Sequence, residues 1–176
     1  MPAGRRVLTT TSTGSNANVM RVLVGGVGYR FLRDNAVGLY MTDQLSARPT
    51  NGTEFEDLGY HPIGFIFNLQ ERPAYDRIVL VGAVKRGREP GTVTAYRWDR
   101  ALPSDKEIQN RVSEAVTGTI SLDNLLIITE AFGAFPDDVR VVEIEPAEET
   151  WGEGFSPVIE GKLTEIEEAI WSSTRP

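Results

Sequence analysis

The run Arg77-Ile-Val-Leu-Val-Gly-Ala-Val84 constrains this chain more than any other segment. It is continuous and β-branched, with charge only at its ends, which makes it a central strand. A second apolar run, Met20 to Gly25, suits burial on both faces of a sheet. Around these runs strand and helix patterns alternate, which predicts an α/β fold: a mostly parallel sheet with helices on both faces. At 176 residues the chain forms one domain, long enough to bury a core.

The remaining elements follow in order. A helix is expected over Ala36 to Ser46, with Val37, Tyr40, Met41 and Leu45 on one buried side. A short strand lies near Thr53 to Leu58. Pro62 opens a second helix carrying Ile63, Phe65, Ile66, Phe67 and Leu69. After the Pro90-Gly91 turn, Thr92 to Trp98 alternates like a half-exposed strand. Residues 99–120 are polar and carry no clear assignment. Ser121 is placed to cap a helix over Leu122 to Phe132, and Asp138 to Glu145 reads as the last strand. Ser156-Pro157 starts the final helix, whose Ile159, Leu163, Ile166 and Ile170 share one face. Residues 1–18, rich in Thr, Ser, Ala and Gly, are expected to form a flexible tail, with Arg5-Arg6 as a solvated pair. That leaves 19–176 as the folded domain.

Composition removes several function classes. With no cysteine there is no disulfide, no thiolate nucleophile and no Cys-ligated zinc or iron–sulfur site. The same absence fits a reducing, cytoplasmic setting. No apolar run is long enough for a membrane span. The net charge is −7, and residues 121–176 hold three basic against thirteen acidic groups. Such a balance argues against nucleic-acid binding, which needs many phosphate-neutralising cations. The acidic half reads as solvated surface, and it can equally face a second copy of the chain in a homo-oligomer.

Four segments share an order and spacing. They are the strand–turn–helix Val22 to Gly38; Tyr75 to Val84 followed by Gly91-Thr-Val; Ser121-Leu-Asp-Asn-Leu-Leu followed by Phe135-Pro136; and Val142-Glu-Ile-Glu-Pro146 with Trp151-Gly-Glu-Gly-Phe-Ser-Pro157. Over roughly residues 20–173 this pattern resembles the nickel–iron hydrogenase maturation endopeptidases. The resemblance implies a three-layer α/β/α sandwich around a twisted, mostly parallel sheet of about five strands. It also implies removal of a short C-terminal peptide from a hydrogenase large subunit after nickel insertion, with the bound nickel as recognition element.

The chain departs from the family where metal chemistry would sit. The motif after the first strand is similar to Gly-x-Gly-Asn, four residues, then Asp-Glu/Asp. Here Tyr29 replaces the Asn, Asp34 keeps the Asp, and Asn35 stands in place of the ligand carboxylate. The family's central strand ends in Asp-Ala, where this chain has Gly82-Ala83. The family's histidine lies four residues before the Leu that opens the next helix; taking that as Leu122 puts Gly118 there. One amide and two glycines do not replace the imidazole and carboxylate donors of a divalent nickel or zinc site. The expectation is a member without its nickel, holding a protein partner such as a hydrogenase-like large subunit or its C-terminal extension.

Two other readings use different residues. Asp34, Asp57 and His61, the only histidine, can form a two-carboxylate, one-imidazole set, or His61 can act as a general base; the plainer reading is a surface histidine before Pro62. Arg30, Arg33, Lys85, Arg86 and Arg88 fall on the loops after the first and third strands. Together they can receive a carboxylate, an acidic peptide, a nucleotide or another small anion, or simply pair with neighbouring acids. Gly25-Gly-Val-Gly28 lacks the third glycine of a dinucleotide fingerprint, which falls on Phe31, and suits a tight turn with close packing. Trp171 reads as packing, and Trp151 as a residue of the cleft rim.

Overall fold

Five strands and six α-helices make up the described residues of the computed structural model, which are 19–59, 62–118 and 121–176. In chain order these are β1 (Val22–Val27), α1 (Val37–Ser46), β2 (Thr53–Asp57), α2 (Pro62–Glu71), β3 (Arg77–Ala83) and β4 (Val93–Arg97). Then come α3 (Asp105–Val116), α4 (Leu122–Ala131), β5 (Asp138–Ile144), α5 (Pro157–Glu160) and α6 (Leu163–Thr174). A 3₁₀ turn, Arg33–Ala36, leads into α1. The strand order is β2-β1-β3-β5-β4. All neighbours are parallel except β4, which runs antiparallel to β5. The short connection from β3 to β4 contains no helix, so β4 starts at the end of the sheet where β3 stops and must run back.

The pleat divides the apolar strand residues between two cores. Leu23, Ile78, Leu80, Val139 and Val141 face α2 and α4 through Phe65, Leu122 and Leu125. Val22, Val24, Val79, Val81 and Ile144 face α1, α5 and α6 through Val37, Met41, Ile159 and Ile166. Burying such a side chain is worth about 1.5–3 kcal/mol. The three-layer sandwich expected from the resemblance is therefore what the two-sided pattern builds. One helix lies unusually close: a Cβ at Gly38 would sit 2.2 Å from the Val81 carbonyl, and one at Gly26 2.4 Å from the Gly38 carbonyl. The glycine turn thus serves packing of α1 onto β1 and β3.

Several local expectations need correction. Tyr40 is 38% exposed, because Leu39 and Thr42 share the buried side of α1 with Val37, Met41 and Leu45 while the Tyr40 ring meets Phe155 edge-on at 5.2 Å. Phe67 points outward, with Phe65 and Ile66 taking the buried side of α2. The final helix is two: Ser156 caps α5, the chain breaks at Gly161-Lys162, and α6 restarts with Ile166 and Ile170 buried and Leu163 half-buried. Within 99–120, α3 forms behind a Ser104 cap. Among its residues only Ala115 is buried, which explains why no apolar stripe announced it. The proposed tail, 1–18, lies outside the described residues.

Candidate functional site

The carboxyl ends of β1 and β3 open into a pocket of about 180 Å³, lined among others by Gly28, Asn35, Lys85, Ser121, Asp123 and Glu149. This is the crevice position where open α/β sheets place ligands. Its floor comes from the strand ends, its walls from the loop after β1, the loop after β3, the amino end of α4 and the loop after β5.

Asp34 is fully buried, and its carboxylate is consumed by the loop after β5. It accepts from the backbone N–H groups of Ala147 at 2.9 Å, Glu148 at 2.8 Å and Ser156 at 2.7 Å, and from the Ser156 hydroxyl at 2.8 Å. Arg33, just before it, takes a left-handed φ of 41°, a conformation that costs a non-glycine residue free energy. The bond from its N–H to the Gly152 carbonyl, at 3.2 Å, holds it there. Asp34 is therefore an architectural clamp, a correction to its candidacy as base or ligand.

Asn35 points into the pocket. Its Oδ1 accepts from the Tyr29 N–H at 2.9 Å and its Nδ2 donates to Glu149 at 2.9 Å. Glu149 in turn pairs with Lys85 at 2.6 Å, which raises the Lys85 ammonium above its usual value. The Tyr29 hydroxyl donates to the Gly118 carbonyl at 3.3 Å. A Cβ at Gly82 would meet the Val27 carbonyl at 3.0 Å and Leu122 at 3.2 Å, so the strand end is packed shut there. Thus Tyr29 joins two of the three positions, and the polar atoms of Asn35 already have partners.

Asp57 accepts from the Gly59 N–H at 2.7 Å and pairs with Arg30, which also holds Asp43 at 2.7 Å. His61 lies outside the described residues. Among the described residues no three His, Cys, Asp or Glu side chains converge as a metal site. Among the described residues, Asn35 offers an amide oxygen already taken, Gly82 offers no side-chain atom, and the acids Glu149 and Asp123 face cations.

The cations of the loops after β1 and β3 form a set of ion pairs. Arg33 sits 3.5 Å from Glu148; Arg86 bridges Asp123 and Glu143, each at 2.7 Å; Arg88 reaches Glu143 at 3.0 Å. With Arg30 and Lys85 paired as above, all five face acids, as the alternative of pairing with neighbouring acids has it. Glu143 was not singled out as a site residue. It is buried on β5 and also accepts from the Tyr96 hydroxyl at 2.8 Å. Burial alone would raise its carboxyl, but the hydrogen bonds from Arg86 and Tyr96 hold it below the ordinary value. Burial and Glu143 together push the Tyr96 phenol upward. The available sign was an acid inside the apolar run Val141 to Ile144. Glu149 had none, since nothing in a polar loop marks which acid turns inward.

The tryptophans divide as expected for Trp171, which packs edge-on against Phe55 at 5.7 Å. Trp98 packs on Phe135 at 5.9 Å. Trp151 stands 79% exposed on the crevice rim, 5.9 Å from Phe31.

Known structures share this architecture. An endopeptidase from Escherichia coli is 24% identical, covering 89% of this chain and 93% of that one with a TM-score of 0.66. The hydrogenase maturating endopeptidase HybD from E. coli is 22% identical over the same shares, also with a TM-score of 0.66. The [NiFe] hydrogenase maturation protease HybD from Thermococcus kodakarensis is 19% identical, covering 89% of this chain and all of that one with a TM-score of 0.61. No curated protein matches the chain. At these identities the structures establish the fold, and the family comes from the sequence. Residues 42–173 match the model of the HycI hydrogenase maturation proteases, and the chain therefore belongs to the hydrogenase maturation protease family.

Proposed function

We propose that this chain is a non-catalytic member of that family, which binds a hydrogenase-like large subunit in the cytoplasm without cutting it. The carrying observation is that the polar atoms of the crevice are bonded to one another. Asn35, Gly82 and Gly118 occupy the positions that the resemblance assigns to metal ligands. The polar atoms left there are bonded through Tyr29 and Glu149 rather than directed at an open coordination site. Metal-guided proteolysis needs an ion or a metal-loaded substrate held by charged donors, and a neutral amide with two glycines supplies none. What the fold retains is shape: the sandwich, the crevice and its rim.

Incubation with a precursor large subunit carrying its C-terminal extension tests this, with mass spectrometry of that terminus and calorimetry against Ni²⁺ and Zn²⁺. The expected result is a complex whose terminus stays uncut and no micromolar metal site in the crevice. Cleavage of the extension, or a nickel site lost in Asn35→Ala, would overturn it.

A further inference from the structure

The rim beside the crevice carries aromatic surface that the fold does not use. Trp151 is 79% exposed and Phe31 49% exposed, their rings 5.9 Å apart. Tryptophan so open is uncommon on a surface without a partner, and it is the residue type that most often anchors interfaces. Beyond them, Tyr40 and Phe155 edge a cavity of about 320 Å³ lined also by Ala36, Leu39 and the paired Arg30 and Asp43.

The platform is held rigid from below. The Gly152 N–H donates to the Phe31 carbonyl at 2.8 Å, and the Arg33 N–H returns a bond to Gly152. The Asp34 clamp fixes both loops through Ala147, Glu148 and Ser156. Preorganised aromatics lose little freedom on binding, so their contact area converts efficiently into affinity.

Charge selects the occupant. Arg30 is matched by two carboxylates, Asp43 and Asp57, and Arg33 and Lys85 are each matched by a glutamate. Glu153 is exposed between Gly152 and Gly154 and, among the described residues, forms no ion pair. The rim is thus aromatic with spare negative charge.

From these features we infer that Phe31, Trp151 and the Tyr40–Phe155 cavity form a docking surface for a basic, apolar segment of a protein partner, the apolar side chain seated in the cavity and the cations facing Glu153. The identity of that partner as a large subunit rests on the function proposed above; the surface itself does not.

Fluorescence anisotropy on the full chain tests it with a labelled hexapeptide alternating lysine with leucine and phenylalanine, its glutamate counterpart, and a precursor large subunit. The lysine peptide should bind saturably and the glutamate peptide should not. Trp151→Ala should weaken the lysine peptide roughly tenfold, an anchor-sized loss. Glu153→Lys should weaken it less, with a shallower dependence on salt. Equal binding of both peptides, no saturable binding of either, or indifference to Trp151→Ala would each overturn the surface. So would a dimer in sedimentation equilibrium that Trp151→Ala dissolves, since a second copy would then cover the rim. If the lysine peptide behaves as expected but no large subunit binds, the surface stands and the proposed partner falls. If a large subunit binds wild type and Trp151→Ala alike, the function stands and the rim is not its contact.

Discussion

Of the three buried carboxylates among the described residues, Asp34 and Glu143 are held by opposite means. Asp34, on the β1 side, is held by neutral donors: three backbone N–H groups and one hydroxyl, all from the loop after β5. Glu143, on the β5 side, is held by the guanidinium groups of Arg86 and Arg88 and by the Tyr96 phenol. The first fixes backbone and thereby the shape of the rim. The second balances charge, and couples the loop after β3 to α4 through Asp123. The Asp34 clamp is thus geometry and the Glu143 network electrostatics, while Glu145 beside it accepts from the backbone N–H groups of Arg86 and Gly87.

The largest effect should come from the geometric side. Asp34→Ala strands four donors in a buried space, and each unsatisfied group costs about 1–3 kcal/mol before the loop relaxes. Urea denaturation should show a loss of about 3–5 kcal/mol. A loss below about 1 kcal/mol would mean that water replaces the carboxylate and that the clamp is incidental.

Glu143→Gln should cost less, about 2 kcal/mol at neutral pH, since Arg86 keeps Asp123 while Arg88 loses its charged partner. Its pH dependence sharpens the contrast. The folded-state carboxyl lies below the ordinary glutamate value, so its stabilisation is complete above about pH 4.3 and disappears as pH falls through the folded value. Wild type should therefore lose stability on acidification more steeply than Glu143→Gln. Parallel curves would show that the guanidinium pairs contribute nothing specific.

How much of this contrast was visible in the residues alone differs between its two halves. The strands were legible because β3 and β1 are apolar without interruption, and burial on both faces permits nothing else. The α4 cap was legible because a serine before an apolar run has one obvious use. The helix α3 was not, since beyond Val112 and Ala115 its contacts are polar: Arg111 and Glu114 clasp Asn124 of α4 at 2.6 and 2.9 Å. Asp34 was recognised but misjudged, because an aspartate in a crevice loop looks the same whether it faces solvent or four buried donors. The cations were placed on the right loops, while their acids came from distant segments that only the folded chain brings near.

The smallest effect concerns the α4 end of the crevice. Ser121 Oγ accepts from the Asn124 N–H at 3.1 Å, and Ser121→Ala should cost about 1 kcal/mol by thermal or chemical melting. Ser121→Asp should recover most of that. A variant as stable as wild type would show that the Asn124 clasp alone fixes the helix start, and that the electrostatic side does not depend on the cap.

The bond from Asn35 Nδ2 to Glu149 limits what position 35 can become. A carboxylate introduced at position 35 would meet the Glu149 carboxylate head-on, with Lys85 left to serve both. Asn35→Asp therefore runs uphill as a single step: the amide latches the two loops together, and a second carboxylate at the mouth would require residue 149 to change as well.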